Sequence, residues 1–159
     1  MTAPTADLYD EHEELVSVAE PMFADFGGDI AFHGPIATIK CYEDNSLVRK
    51  RLSEPGNGQV LVVDGGGSTN CALLGDKLAQ LGVDNHWAGL VIFGCIRDSA
   101  VIADMELGVK ALATTPRKSV KRDQGLTGLA VTFAGVTFEP GHFLYADEDG
   151  ILVAPRELS

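Results

Sequence analysis

Basic residues are scarce in this chain: 12 lysines and arginines stand against 23 aspartates and glutamates over 159 residues, a formal net charge of -11. That balance argues against direct nucleic-acid binding, which needs lysine and arginine to displace phosphate counterions, and it favours solubility and basic partners. Long apolar runs are missing too. None approaches the roughly 20 residues that span a bilayer, and the opening Met1-Thr2-Ala3-Pro4 lacks the basic and apolar regions of a signal peptide, so no membrane association and a cytoplasmic location are expected. The three cysteines, Cys41, Cys71 and Cys95, form no CxxC pair; each sits in or beside an apolar segment, where free cysteine packs as a small hydrophobe. The histidines His12, His33, His86 and His142 are scattered without ligand spacing, which disfavours zinc. No GxSxG elbow, phosphate-binding P-loop or GxGxxG pattern occurs, and no repeat or linker divides the chain.

What is present suits one α/β domain over residues 1–159: the 45% apolar content is enough for one core. The stretch from Ala6 to Ala19 reads as helical in part, with Thr5 as N-cap and Asp7 in the first turn, until Pro21 interrupts it. Ile36 to Cys41 alternates and is β-branched, hence a strand, and a helix follows through Leu47, Val48 and Leu52. Gln59 to Asp64 is a continuous apolar run that stops at Gly65-Gly66-Gly67, the pattern of a strand buried on both faces. A helix is expected across Asn70 to Leu81. Gly89 to Gly94 repeats the strand-and-turn grammar, with a helix expected from Ser99 to Leu107; two such units imply a parallel pair with a right-handed crossover. After Pro116 the pattern becomes strands alone: Leu129 to Phe133, Val136 to Glu139, His142 to Asp147 and Ile151 to Ala154, with turns at Gly135 and Asp149-Gly150. The expected architecture is a mixed sheet flanked by helices with a β-rich C-terminal part.

In an open α/β sheet, ligands collect beyond the carboxyl ends of the strands. Three polar turns lie there. Asp64-Gly65-Gly66-Gly67-Ser68-Thr69 reads as a tight turn, or as a place where missing side chains let a ligand approach the backbone. Gly75-Asp76-Lys77-Leu78 reads either as an ordinary glycine in a helix or as a helix start whose free amides face a carboxylate. Arg97-Asp98 leaves a buried strand together. The pair is an ion pair or helix cap on one reading; on the other, Asp98 is a hard oxygen ligand for Mg²⁺ or Mn²⁺ and Arg97 holds an anionic oxygen. The basic cluster Arg117, Lys118, Lys121 and Arg122 reads as a solvated loop or the rim of a subunit contact.

Several segments together carry a family resemblance. They are Glu20-Pro21 with Phe26-Gly27-Gly28, Asp44-Asn45 after Lys40-Cys41-Tyr42, the run Val60 to Ser68, and Gly135 to Phe138 with Tyr145-Ala146-Asp147. On these residues the sequence resembles the family of the regulator of ribonuclease E activity A and the metal-dependent 4-hydroxy-4-methyl-2-oxoglutarate aldolases, over nearly its whole length. The aldolases are similar in having an aspartate followed, after twenty residues, by Arg-Asp, as Asp76 precedes Arg97-Asp98 here. The resemblance implies an RraA-like, swivelling-domain-like ββα sandwich. It implies substrate binding through the backbone of Gly75, Asp76, Lys77 and Leu78, pyruvyl oxygens held by Arg97, and a divalent metal, Mg²⁺ or Mn²⁺, anchored by Asp98. Catalysis would then fall to Arg97 and Asp76, in a retro-aldol cleavage accompanied by oxaloacetate decarboxylation. A homotrimer with sites near subunit boundaries is also implied; in longer aldolase relatives extra C-terminal sequence adds an acid from a neighbouring subunit, for which Asp147, Glu148 or Asp149 would be the substitutes here. The alternative is a regulator that binds the basic segments of a ribonuclease of the E type.

Overall fold

The computed structural model describes residues 2–158. In chain order the elements are α1 (Thr5–His12), β1 (Ser17–Val18), β2 (Ala24–Asp25), β3 (Phe32–Lys40), α2 (Ser46–Leu52), β4 (Val60–Asp64), β5 (Ala72–Leu74), α3 (Asp76–Asp84), β6 (Gly89–Ile96), α4 (Ser99–Ile102), β7 (Gly108–Thr114), β8 (Leu126–Thr127), β9 (Val131–Phe133), β10 (Val136–Phe138), β11 (Phe143–Asp147) and β12 (Gly150–Ala154). The main sheet runs β1-β12-β11-β3-β4-β6-β7-β2, with β5 added beside β6 and β8 beside β3. Its centre, β3-β4-β6-β7, is parallel; β11, β12, β1 and β2 join antiparallel. The result is the expected α/β fold with a mixed sheet and a β-rich C-terminal part.

The apolar run of β4 is explained by the two faces it serves. Leu61 and Val63 point into a core shared with Val48 and Leu52 of α2, Leu78 and Ala79 of α3, and Ile102 of α4. Val60 and Val62 point the other way, into a core closed by the β9–β10 hairpin through Val131, Phe133 and Phe138. Both faces of a central parallel strand are covered, so period-2 alternation disappears from it. The Ala134-Gly135 turn of that hairpin has positive φ at both residues (52° and 74°), the conformation a two-residue hairpin turn requires. None of the helices among the described residues is long and apolar enough to cross a membrane.

Four local expectations need correction. Helix α1 covers Thr5–His12 with Asp7 in its first turn, as a partly helical stretch should, but Pro4, not Thr5, occupies its cap. The Thr5 hydroxyl instead donates to Asp147 Oδ1 at 2.7 Å while its amide donates to Oδ2 at 2.8 Å, tying the first helix to the last hairpin. The helix expected over Asn70 to Leu81 is a strand followed by a later helix. Ala72 and Leu74 pair with β6, and the extended Gly75 (φ −124°, ψ −172°) delays helix α3 until Asp76. The helix expected over Ser99 to Leu107 ends at Ile102, because residues 103–107 turn to receive Gly27 and Gly28. A Cβ at Gly28 would stand 2.2 Å from the Met105 carbonyl oxygen, and the Gly28 amide bonds that same oxygen at 3.0 Å. Strand β7 escapes the pattern because a lysine interrupts it. Lys110 is buried, reaches Asp25 Oδ1 at 3.0 Å and donates to the Asp147 carbonyl at 2.6 Å.

Candidate active site

Parallel strands β4, β6 and β7 end on one edge of the sheet, and the turn leaving β6 carries Arg97 and Asp98. The Arg97 amide donates to the Leu74 carbonyl at 2.9 Å, which docks this turn against the end of β5. Asp98 then adopts a left-handed conformation (φ 57°, ψ 37°), one that aspartate tolerates better than most side chains. Its carboxylate lies across the start of α3, where Oδ2 accepts the Asp76 amide at 3.0 Å. Gly75 is required by close approach: a Cβ there would sit 2.8 Å from Asp98 Oδ2 and 3.4 Å from Arg97 Nε.

In this geometry the Asp98 side chain is a helix cap, as one reading of the motif has it, but of the neighbouring helix α3. No ion pair joins Arg97 to Asp98, and the Asp98 side chain does not cap its own helix α4. It caps α3 from outside, using one carboxylate oxygen and leaving the other toward solvent. The Gly75 turn is a helix start with free amides, since neither the Lys77 nor the Leu78 N–H meets an acceptor among the described residues. Such a terminus attracts anions. The glycine turn after β4 lies apart from this site: Asp64 Oδ1 accepts the Gly66 amide at 3.0 Å, Gly65 packs on Leu73 and the Phe93 carbonyl, and no residue of the turn borders the Asp98 cavity.

Gly75, Asp76, Lys77, Leu78, Arg97 and Asp98 all line one cavity of about 260 Å³. The structure adds three cations to them, Arg49 from α2 and Lys118 and Lys121 from the segment after β7. That segment is not a free loop. The Ala72 amide donates to the Arg117 carbonyl at 2.7 Å, Lys118 forms a bridge with Ala72, and Ser119 exchanges hydrogen bonds with Asn45. Asp44, buried at the start of α2, accepts the amides of Arg122 at 2.8 Å and Gln124 at 3.2 Å. Burial pushes the Asp44 carboxyl upward, but the donors from Ser46, Gln124 and Arg122 outweigh it and hold the group at about 2. The Asp44-Asn45 pair visible in the sequence is therefore the anchor of the basic cluster, a signal that becomes legible only when their contact across the chain is known.

The donor set suits Mg²⁺ or Mn²⁺. Asp98 presents a fixed carboxylate with a free oxygen and Asp76 borders the same cavity. Magnesium keeps several waters and takes one or two carboxylates plus substrate, so a dense cage is unnecessary. Among the described residues no three histidine, cysteine, aspartate or glutamate side chains converge on a point. Within the chain, Asp147 is engaged by Thr5 and by the Asp149 amide, which removes its carboxylate from the candidates for an additional acid.

Fold and site together define an α/β protein with a small cationic cavity at the carboxyl edge of a mixed sheet. A family profile described as "RraA-like: Aldolase/RraA" matches residues 5–153, and the chain belongs to this family. A relative from Alkalilimnicola ehrlichii named "Putative 4-hydroxy-4-methyl-2-oxoglutarate aldolase" is 59% identical over 99% of this chain and 98% of its own length. The structure of the RNA-processing inhibitor RraA from Thermus thermophilis superposes with a TM-score of 0.96 at 45% identity, covering 100% of this chain and 96% of that one. A Geobacillus kaustophilus structure described as an S-adenosylmethionine:2-dimethylmenaquinone methyltransferase gives a TM-score of 0.95 at 48% identity, covering 98% and 97%.

Proposed function

We propose that this chain is a divalent-metal-dependent lyase that splits 4-hydroxy-4-methyl-2-oxoglutarate into two pyruvates and also decarboxylates oxaloacetate. The observation that carries the reading is the Asp98 carboxylate, fixed by the Asp76 amide beside Arg97 in a cavity rich in cations. Full-length relatives at 57–59% identity bear the aldolase name. A homotrimer working in the cytoplasm is part of the proposal.

The substrate's 2-oxo acid end is held by the free Lys77 and Leu78 amides and by the Arg97 guanidinium, whose planar fork matches paired oxygens. Asp98 is the residue that holds the metal, which when bound supplies Lewis-acid stabilisation of the 2-oxo oxygen. Asp76 orients a water that takes the proton from the C4 hydroxyl. The C3–C4 bond then breaks, its electron pair passes to C3, and C4 becomes the carbonyl of the first pyruvate. Arg97 faces the negative charge that develops on the second product, an enolate, until C3 takes up a proton. Oxaloacetate losing carbon dioxide gives the same enolate, so one arrangement of residues serves both reactions.

The test is pyruvate release from each substrate with Mg²⁺ or Mn²⁺ present or chelated, in wild type and Asp98→Ala. Metal-dependent release that the substitution abolishes supports the lyase; its absence under every condition sinks it. A second reading, a regulator of a ribonuclease of the E type, draws on the likeness to the Thermus inhibitor and on the charge of -11. It requires a salt-sensitive complex with a basic ribonuclease segment that survives Asp98→Ala, and it fails if no complex forms at low salt.

A further inference from the structure

A site that holds a divalent cation with protein carboxylates alone gathers acids around it; this cavity does the reverse. Two carboxylates border it, Asp76 and Asp98, and the Asp76 amide already engages one oxygen of Asp98. Five cations border it as well: Arg49, Lys77, Arg97, Lys118 and Lys121. Among the described residues none of the five lies within 4.0 Å of a carboxylate. Elsewhere in this acidic protein cations do find partners: Arg51 meets Glu54 at 3.7 Å and Lys110 meets Asp25 at 3.0 Å. Like charges focused on one concave surface raise its potential, and a divalent cation feels that potential twice over.

Three of the five cations stand apart from the residues at the strand ends. Arg49 comes from α2, and Lys118 and Lys121 come from the segment pinned to it. This unit brings the cavity no carboxylate, because its own acid, Asp44, is buried and turned onto the amides of Ser46, Arg122 and Gln124. The backbone carrying the three is fixed. The Arg49 amide bonds the Asn45 carbonyl at 3.0 Å, Asn45 and Ser119 exchange hydrogen bonds, and Lys118 bridges to Ala72.

We infer that Arg49, Lys118 and Lys121 form an electrostatic gate on metal binding: they hold a divalent cation off Asp98 while the cavity is empty and admit it once an anionic 2-oxo acid has offset their charge. The inference rests on the lyase reading and describes the regulation of that same site. It makes metal and 2-oxo acid bind with positive coupling, which linkage makes reciprocal. Magnesium takes substrate oxygens together with one or two carboxylates, so chelation alone supplies part of that coupling. The gate adds what chelation cannot: removing one of these cations tightens metal binding to the protein alone. All three residues are exposed, so solvent screening limits each to about two- to threefold, and the three together reach about tenfold.

Manganese binding tests this without turnover. The free Mn²⁺ signal in electron paramagnetic resonance gives the affinity with and without saturating pyruvate, at constant ionic strength. The proteins compared are wild type, Arg49→Gln, Lys118→Met, Lys121→Met, the triple variant and Lys50→Met, each checked for folding by circular dichroism. Lys50 lies on α2 but does not border this cavity, so it reports the effect of bulk charge alone. Pyruvate is expected to tighten Mn²⁺ binding to wild type by about tenfold or more. Without pyruvate, each cavity substitution should tighten it by about two- to threefold and the triple variant by about tenfold, with Lys50→Met close to wild type. The enhancement by pyruvate should shrink in the triple variant. The inference is overturned if the cavity substitutions leave Mn²⁺ affinity unchanged or weaken it, or if Lys50→Met tightens it as much. It is equally overturned if pyruvate leaves the wild-type affinity unchanged, or if no form of the protein binds Mn²⁺. Failure of the lyase reading shows instead as absent pyruvate release from 4-hydroxy-4-methyl-2-oxoglutarate while the metal affinities follow the expected order.

Discussion

Adding one methyl group at position 75 should separate stability from function. In Gly75→Ala the new Cβ would stand 2.8 Å from Asp98 Oδ2. Relief requires the carboxylate to move by about half an ångström, the tolerance within which a metal or catalytic group must be held. The φ of −124° is open to alanine, so the backbone suffers no conformational penalty. Lower entropy of the unfolded chain even favours the variant, by roughly 0.4–1 kcal/mol. What is lost is the charge-assisted bond from the Asp76 amide, worth about 1.5–3 kcal/mol. At about 1.4 kcal/mol per decade, metal affinity or turnover should drop by roughly ten- to a hundredfold, while the entropic gain offsets part of the lost bond and limits the fall in melting temperature to roughly 2–10 °C. Metal titration by calorimetry, thermal unfolding and pyruvate release measure the three quantities. Wild-type metal affinity and activity in Gly75→Ala would refute the placement of the metal on Asp98. The same methyl at Gly28 meets the Met105 carbonyl at 2.2 Å, and that variant should lose stability outright.

Asp98→Asn should stay folded, since asparagine tolerates the left-handed φ of 57° and can still accept the Asp76 amide, yet metal binding should vanish; Asp98→Ala, which loses that bond and adds strain at the left-handed φ, should in addition lose about 2–4 kcal/mol in denaturant unfolding. Asp44 is held at about 2, below its ordinary 3.8, so its stabilisation is complete above that ordinary value and is lost as pH falls toward 2. Asp147 is lowered too, by the Thr5 bonds against the upward push of burial, and acts in the same direction. Unfolding free energy followed from pH 5 downward should fall for wild type, with about 2 kcal/mol of the loss missing in Asp44→Asn. Burial pushes the Cys41 thiol up to about 12 and raises Cys71 and Cys95, so iodoacetamide at neutral pH should label none of them in the native protein and all three after denaturation, read by mass spectrometry.

The sequence was legible where local pattern and tertiary environment agree. The apolar run of β4 ends at a glycine turn because that strand is buried on both faces, and the same grammar marks β6. The parallel pairing of the two followed from their spacing. Legibility failed where a distant contact sets the outcome. Nothing near Ala72 shows that β6 and Lys118 will pair with it, so three strand residues read as the first turn of a helix. A lysine inside Gly108 to Thr114 hides a buried strand, because its partner Asp25 lies in another element. The six residues singled out for the site do meet in one cavity, since both motifs sit at strand ends or helix starts where local chemistry is informative. Arg49 and Lys118 were missed because contacts distant in the chain bring them there, those of Asp44, Asn45 and Ser119 across more than seventy residues and the bridge of Ala72 with Lys118.

That long-range clasp has a consequence for synthesis. Asp44 must wait for the amides of residues 122 and 124, some eighty positions further along the chain, before its carboxylate is satisfied. Contacts of such separation form late, because the intervening chain has to be closed before they return any energy. The residues that bring Arg49 and Lys118 to the cavity are pinned only once the chain has been made as far as Gln124. On the proposed reading, a nascent chain should gain its full grip on a ligand only after the segment through Gln124 has been made.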